Sequence, residues 1–93
     1  MDVKTTRMAS VAMEIGKLAG VHSELVSGPF PGSDMQLMVK GSSGVSMSVM
    51  PDADMPGLFE IVVYAASGDE LRDKLPLAKV VEVVERVALG GRP

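Results

Sequence analysis

Polar and apolar positions alternate three times through the middle of the chain, and a helix-like stripe stands on either side of them. Residues 34–40 set Met35, Leu37 and Val39 against Asp34, Gln36, Met38 and Lys40. Residues 45–50 set Val45, Met47 and Val49 against Ser46, Ser48 and Met50. Residues 58–66 form the longest strand-like run and hold Phe59 and Tyr64, two of the three aromatics. There Phe59, Ile61, Val63 and Ala65 oppose Leu58, Glu60, Val62, Tyr64 and Ala66. A period of two marks a strand with one buried face. Gly41-Ser42-Ser43-Gly44 has two glycines for positive φ and predicts a hairpin between the first two strands. The Pro-, Asp- and Gly-rich residues 51–57 make the next connection.

Before the strands, Met8, Val11, Ala12, Ile15, Leu18 and Ala19 recur at spacings of three and four. That predicts a helix over 3–19, capped by Asp2, stopped by Gly20 and carrying Lys17 in its last turn. Gly16 costs this helix about 1 kcal/mol relative to Ala, which suggests that something packs close there. After the strands, Pro76 is expected as the first residue of a second helix. Leu77, Val80, Val81, Val84, Val87 and Ala88 form its buried stripe; Lys79, Glu82, Glu85 and Arg86 face water, and Gly90-Gly91 ends it. Glu82 and Arg86 are spaced for an ion pair. Val83 widens the stripe enough to help pair two subunits.

Three segments carry weaker patterns. Residues 21–27 alternate faintly and read as a short strand. Residues 28–32 hold Phe30 between two prolines, a stiff loop with the ring tucked against the domain. Residues 70–75, after Ser67-Gly68-Asp69, read as one or two turns of helix. The whole is a single α+β domain, residues 1–93. Its antiparallel meander of three to four strands is flanked by an N-terminal and a C-terminal helix on one face, in the order α-β-β-β-α.

Composition narrows the function. The core must be aliphatic, because Trp is absent and eight Met accompany the Val, Leu and Ile; methionine packs adaptably but specifies shape poorly. With no Cys, disulfides and thiolate metal sites are excluded, and a cytoplasmic setting is the expectation. No apolar run approaches the roughly 20 residues that span a bilayer, so no membrane partner is expected. Lys4 and Arg7 among Thr, Ser and Ala do not make a signal peptide. A net charge of -3 makes nucleic acid an unlikely partner, since phosphates are neutralised mainly by Lys and Arg.

Candidate chemistry is sparse. His22 is the single histidine, with Glu24 two residues on; a surface imidazole is the favoured reading, and acid–base catalysis ranks last. Asp52 and Asp54 resemble part of a cation loop, but Met55, Pro56 and Gly57 stand where further ligands belong, so a solvated turn is expected. Gly41-Ser42-Ser43-Gly44 runs from strand to strand and lacks the Lys of a phosphate loop. No Gly-x-Ser-x-Gly occurs. Helix, three strands, helix is also the order of double-stranded RNA-binding domains. Those begin their last helix with a lysine cluster, whereas this chain has Leu77-Ala78-Lys79-Val80 preceded by acidic Asp69, Glu70 and Asp73.

The informative residues lie on the sheet face turned away from the helices: Met38, Met50, Val62 and Tyr64, among Gln36, Lys40, Ser46, Ser48 and Glu60. Methionines with a Tyr suit a contact surface. The expectation is a non-enzymatic protein-interaction module without metal or cofactor. It would self-associate or dock on a larger protein, as an accessory, inhibitor or assembly component does. The alternative is a small-ligand or nucleic-acid binding module, which requires Lys4, Arg7 and Lys40 to converge.

Overall fold

A computed structural model of the chain describes residues 3–26, 36–52, 55, 57–65 and 68–90. Helix α1 (Val3–Gly16) is followed by β1 (Val21–Val26), β2 (Gln36–Gly41), β3 (Ser46–Pro51), β4 (Phe59–Ala65), β5 (Gly68–Leu75) and helix α2 (Leu77–Ala88). The five strands form one antiparallel meander in chain order. The fold is α+β, and its strands alternate as the sequence pattern requires.

Both helices cover the same face. Leu37, Val39, Met47, Val49, Phe59, Ile61 and Val63 from the sheet join Met8, Val11 and Ile15 of α1 in one buried cluster. Val80, Val83, Val84, Val87 and Ala88 of α2 complete it. Removing this aliphatic surface from water is the main term stabilising the fold.

The weak alternation that begins at Val21 does become a strand, β1, over Val21–Val26. Residues 70–75, expected as helix, are instead strand β5, so the sheet has five strands rather than three or four. The reason lies in the register. From Gly68 to Arg72 each residue of β5 pairs regularly with β4, but a bulge intervenes before Leu75 meets Phe59. Leu71 therefore faces away from the helices beside Val62, while Leu75 packs against the core. In a regular strand, residues four apart share a face. The extra residue of a bulge puts this pair on opposite faces, and the spacing of Leu71 and Leu75 imitates a helix turn. Lys74 carries the irregularity at φ 56.

Several boundaries also move. Helix α1 stops at Gly16, short of residue 19. The Lys17 and Leu18 N–H groups donate to carbonyls three residues back, and Gly20 at φ 74 turns the chain into β1. Nothing lies within 4 Å of where a Gly16 β-carbon would sit, so close packing does not explain that glycine. Pro76 is the extended N-cap of α2, one position before the expected start, and its carbonyl accepts from Lys79 and Val80. Val83 is buried in its own core, 9% exposed, and does not widen an outer stripe. The Arg86–Glu82 ion pair forms at 2.9 Å. Phe30 and its loop lie outside the described residues.

The β2–β3 turn anchors α2. Gly44 adopts φ 89, and the Ser42 and Ser43 hydroxyls donate to the Ala88 and Val87 carbonyls at 3.4 Å. The Ser43 N–H donates to Ala88 as well. The last carbonyls of a helix lack partners within it, and here a distant hairpin supplies them. Gly90 at φ 93 completes the stop by donating to Val87.

Candidate functional site: the open face of the sheet

With both helices on one side, the other face of the sheet is built from the alternate residues of all five strands. Register sets them in rows. The central row runs Glu24, Met38, Ser48, Val62, Leu71. One flanking row runs His22, Lys40, Ser46, Tyr64, Asp69. On the opposite flank Val26 meets Gln36, and Met50 meets Glu60. Met38 and Val62 thus flank Ser48 in the central row, while Met50 and Tyr64 lie in the flanking rows on opposite sides of it.

Met38, Met50 and Val62 are half-buried, and Tyr64 is 41% exposed. Leu71 extends the same apolar run toward the β5 edge and is 59% exposed. Sequence reasoning missed it because residues 70–75 looked helical; its sole signal was an isolated Leu among charges. Ser48, between Met38 and Val62, is fully buried. Its hydroxyl donates to Gln36 Oε1 at 2.9 Å, so the polar group is satisfied without water.

Charged and polar groups border this strip: Glu24, His22 and Lys40 toward β1, Glu60 toward one end, Asp69 beside Tyr64. An open depression of about 220 Å³ lies between His22, Glu24, Met38, Lys40 and Ser46. His22 and Glu24 share the face, as expected for a strand, and both are exposed. Lys40 joins them, but the Lys4 and Arg7 side chains lie outside the described residues. Among the described residues no group of three or more His, Cys, Asp or Glu is placed to hold a metal ion.

Asp52 departs from the expected solvated turn. It is 8% exposed, its Oδ1 accepts the Met55 N–H at 3.0 Å, and its own N–H donates to the Leu58 carbonyl. The carboxylate closes the β3–β4 turn. Asp54 lies outside the described residues. Among the described residues no helix is long and apolar enough to cross a membrane.

Compared with protein-family models, curated proteins and solved structures, the chain matches none.

Proposed function

We propose that this protein is a non-enzymatic interaction module that docks on a larger protein through the open face of its sheet. One observation carries the reading: both helices bury the same face, leaving an apolar strip of Met38, Met50, Val62, Tyr64 and Leu71 uncovered by either. Adaptable methionines and a Tyr, ringed by charge, match the composition of a contact core and its rim. A partner with an apolar patch bordered by mixed charges fits this surface. Such a module works in the cytoplasm as an accessory, inhibitor or assembly component.

Site-specific photo-crosslinking in cells tests this. A crosslinker at Tyr64 or Leu71 is expected to trap one discrete protein adduct, and the same group at Glu85, on the wet face of α2, none. Equal labelling at all three positions overturns the reading.

A further inference from the structure

We propose that the outer edge of β1 pairs with β1 of a second copy of this chain, antiparallel, about a two-fold axis through Ser23. This goes beyond the docking reading, because it uses a different surface and names the occupant.

The two edges of the sheet differ in kind. At one end, β5 carries Asp69, Glu70, Arg72, Asp73 and Lys74, all exposed, and a bulge. Charges and bulges are how proteins block an edge against pairing. At the other end, β1 reads Val21-His22-Ser23-Glu24-Leu25-Val26, with no Lys, Pro or bulge, and Glu24 as its single carboxylate.

Its hydrogen-bonding groups point the right way. Gly41 donates its N–H to the Val45 carbonyl at 3.0 Å, so the odd-numbered residues of β2 bond toward β3 and the even-numbered ones toward β1. His22, Glu24 and Val26 stand opposite those even-numbered residues. The N–H and C=O groups of Val21, Ser23 and Leu25 are therefore directed away from β2, at the sheet's end.

Side chains then select the register. A strand paired antiparallel with its own copy places one residue opposite itself. With Ser23 there, hydroxyl meets hydroxyl, Val21 meets Leu25 of the other copy, and His22 meets Glu24, each twice. Imidazole can donate to carboxylate on the open face, while the apolar pair lies on the helix side. Centring on Glu24 sets carboxylate against carboxylate; centring on His22 sets imidazole against imidazole. On β5 the best register, through Leu71, still opposes Asp69 to Asp73.

Helix α1 agrees. Seen from the helix side with β1 running down, β2 lies to its right, because that same hydrogen bond fixes the hand of the sheet. Residues 17–20 reverse the chain, so α1 rises over β1. Its right-handed turn then puts Ala9, Met13 and Gly16 over the outer edge. That flank is bare: Ala9 and Gly16 are exposed, Met13 is 67% exposed, and a β-carbon on Gly16 would meet nothing within 4 Å. Ala9 and Gly16 leave room for α1 of the second copy to approach.

Sedimentation equilibrium of the purified chain reads the outcome. The expected mass is twice the 9.7 kDa of one chain. Ser23→Pro, which removes an outward N–H, and His22→Glu, which opposes Glu24, are both expected to give folded monomers by circular dichroism. The double swap His22→Glu with Glu24→His is expected to restore the dimer. If Ser23→Pro loses the fold, His22→Glu decides, since that side chain is exposed. Tyr64→Ser is expected to leave the dimer intact, so failure of the docking face and of this edge are told apart. A monomeric wild type, a dimeric His22→Glu, a double swap that stays monomeric, or loss of the dimer in Tyr64→Ser overturns the proposal.

Discussion

Gly41 and Ala88 meet backbone to backbone: a β-carbon on residue 41 would stand 2.5 Å from the Ala88 Cα and 2.8 Å from its carbonyl oxygen. The contact joins the end of β2 to the last turn of α2, where Ser42 and Ser43 also bond the helix carbonyls. Hairpin and helix terminus thus hold each other, across more than forty residues of sequence.

Gly41→Ala forces α2 off the sheet, because the obstructing atoms are backbone and a β-carbon, not the far end of a flexible side chain. Over-packing of this kind costs about 1–3 kcal/mol. Gly16→Ala is the control: its β-carbon meets nothing within 4 Å, and Ala gains up to about 1 kcal/mol over Gly in a helix. Urea denaturation should move the two midpoints in opposite directions.

Adjacent residues of β4 test which face is which. Val63 is 3% exposed against the helices, and Tyr64 is 41% exposed on the other side. Val63→Asp buries an unpaired charge and should abolish the cooperative transition. Tyr64→Ser should keep the far-ultraviolet spectrum and shift stability by no more than about 1 kcal/mol, while weakening crosslinking to a partner. Unfolding by the Tyr64 change would mean that this face is covered.

The alternation around Leu37, Met47 and Ile61 was legible because burial on one face of a strand imposes a period of two. The same logic set Met38, Met50, Val62 and Tyr64 on the other face. Residues 70–75 were not legible. Their charges face solvent at an edge, so they carry no alternation, and the bulge gives their two leucines a helical spacing. Val83 was misplaced for a related reason: α2 sits in the angle between α1 and the sheet, so its buried arc is wider than a stripe facing one surface. The role of Asp52 was also hidden, since a turn-closing carboxylate and a solvated one look alike in sequence.

The bulge makes its own prediction. Lys74 holds φ 56, a conformation that costs an L-residue about 1–2 kcal/mol and glycine little. Lys74→Gly should therefore raise stability, by no more than about 1 kcal/mol once the flexibility of an unfolded glycine is set against the relief. Inserting an alanine between Lys74 and Leu75 should do the reverse. With one more residue after the bulge, Leu75 moves to the open face and leaves the core beside Phe59. Thermal unfolding of the two variants should bracket the wild type, and an insertion as stable as the parent would show that the place of Leu75 opposite Phe59 does not matter to the core.

Asp52 closes the β3–β4 turn from a nearly buried position, accepting the Met55 N–H while its own N–H reaches Leu58. Asp52→Ala removes the acceptor and leaves the Met55 donor without its protein partner. A lost hydrogen bond to a charged group costs about 1.5–3 kcal/mol, and part-exposure of the turn places the expectation at the lower end. Asp52→Asn keeps an oxygen in the same place and should retain most of the stability. The comparison separates geometry from charge: if Asn is as damaging as Ala, the negative charge holds the turn. If both are neutral, the Asp52 N–H to Leu58 carbonyl bond suffices to close it, and the carboxylate is dispensable for the entry into β4.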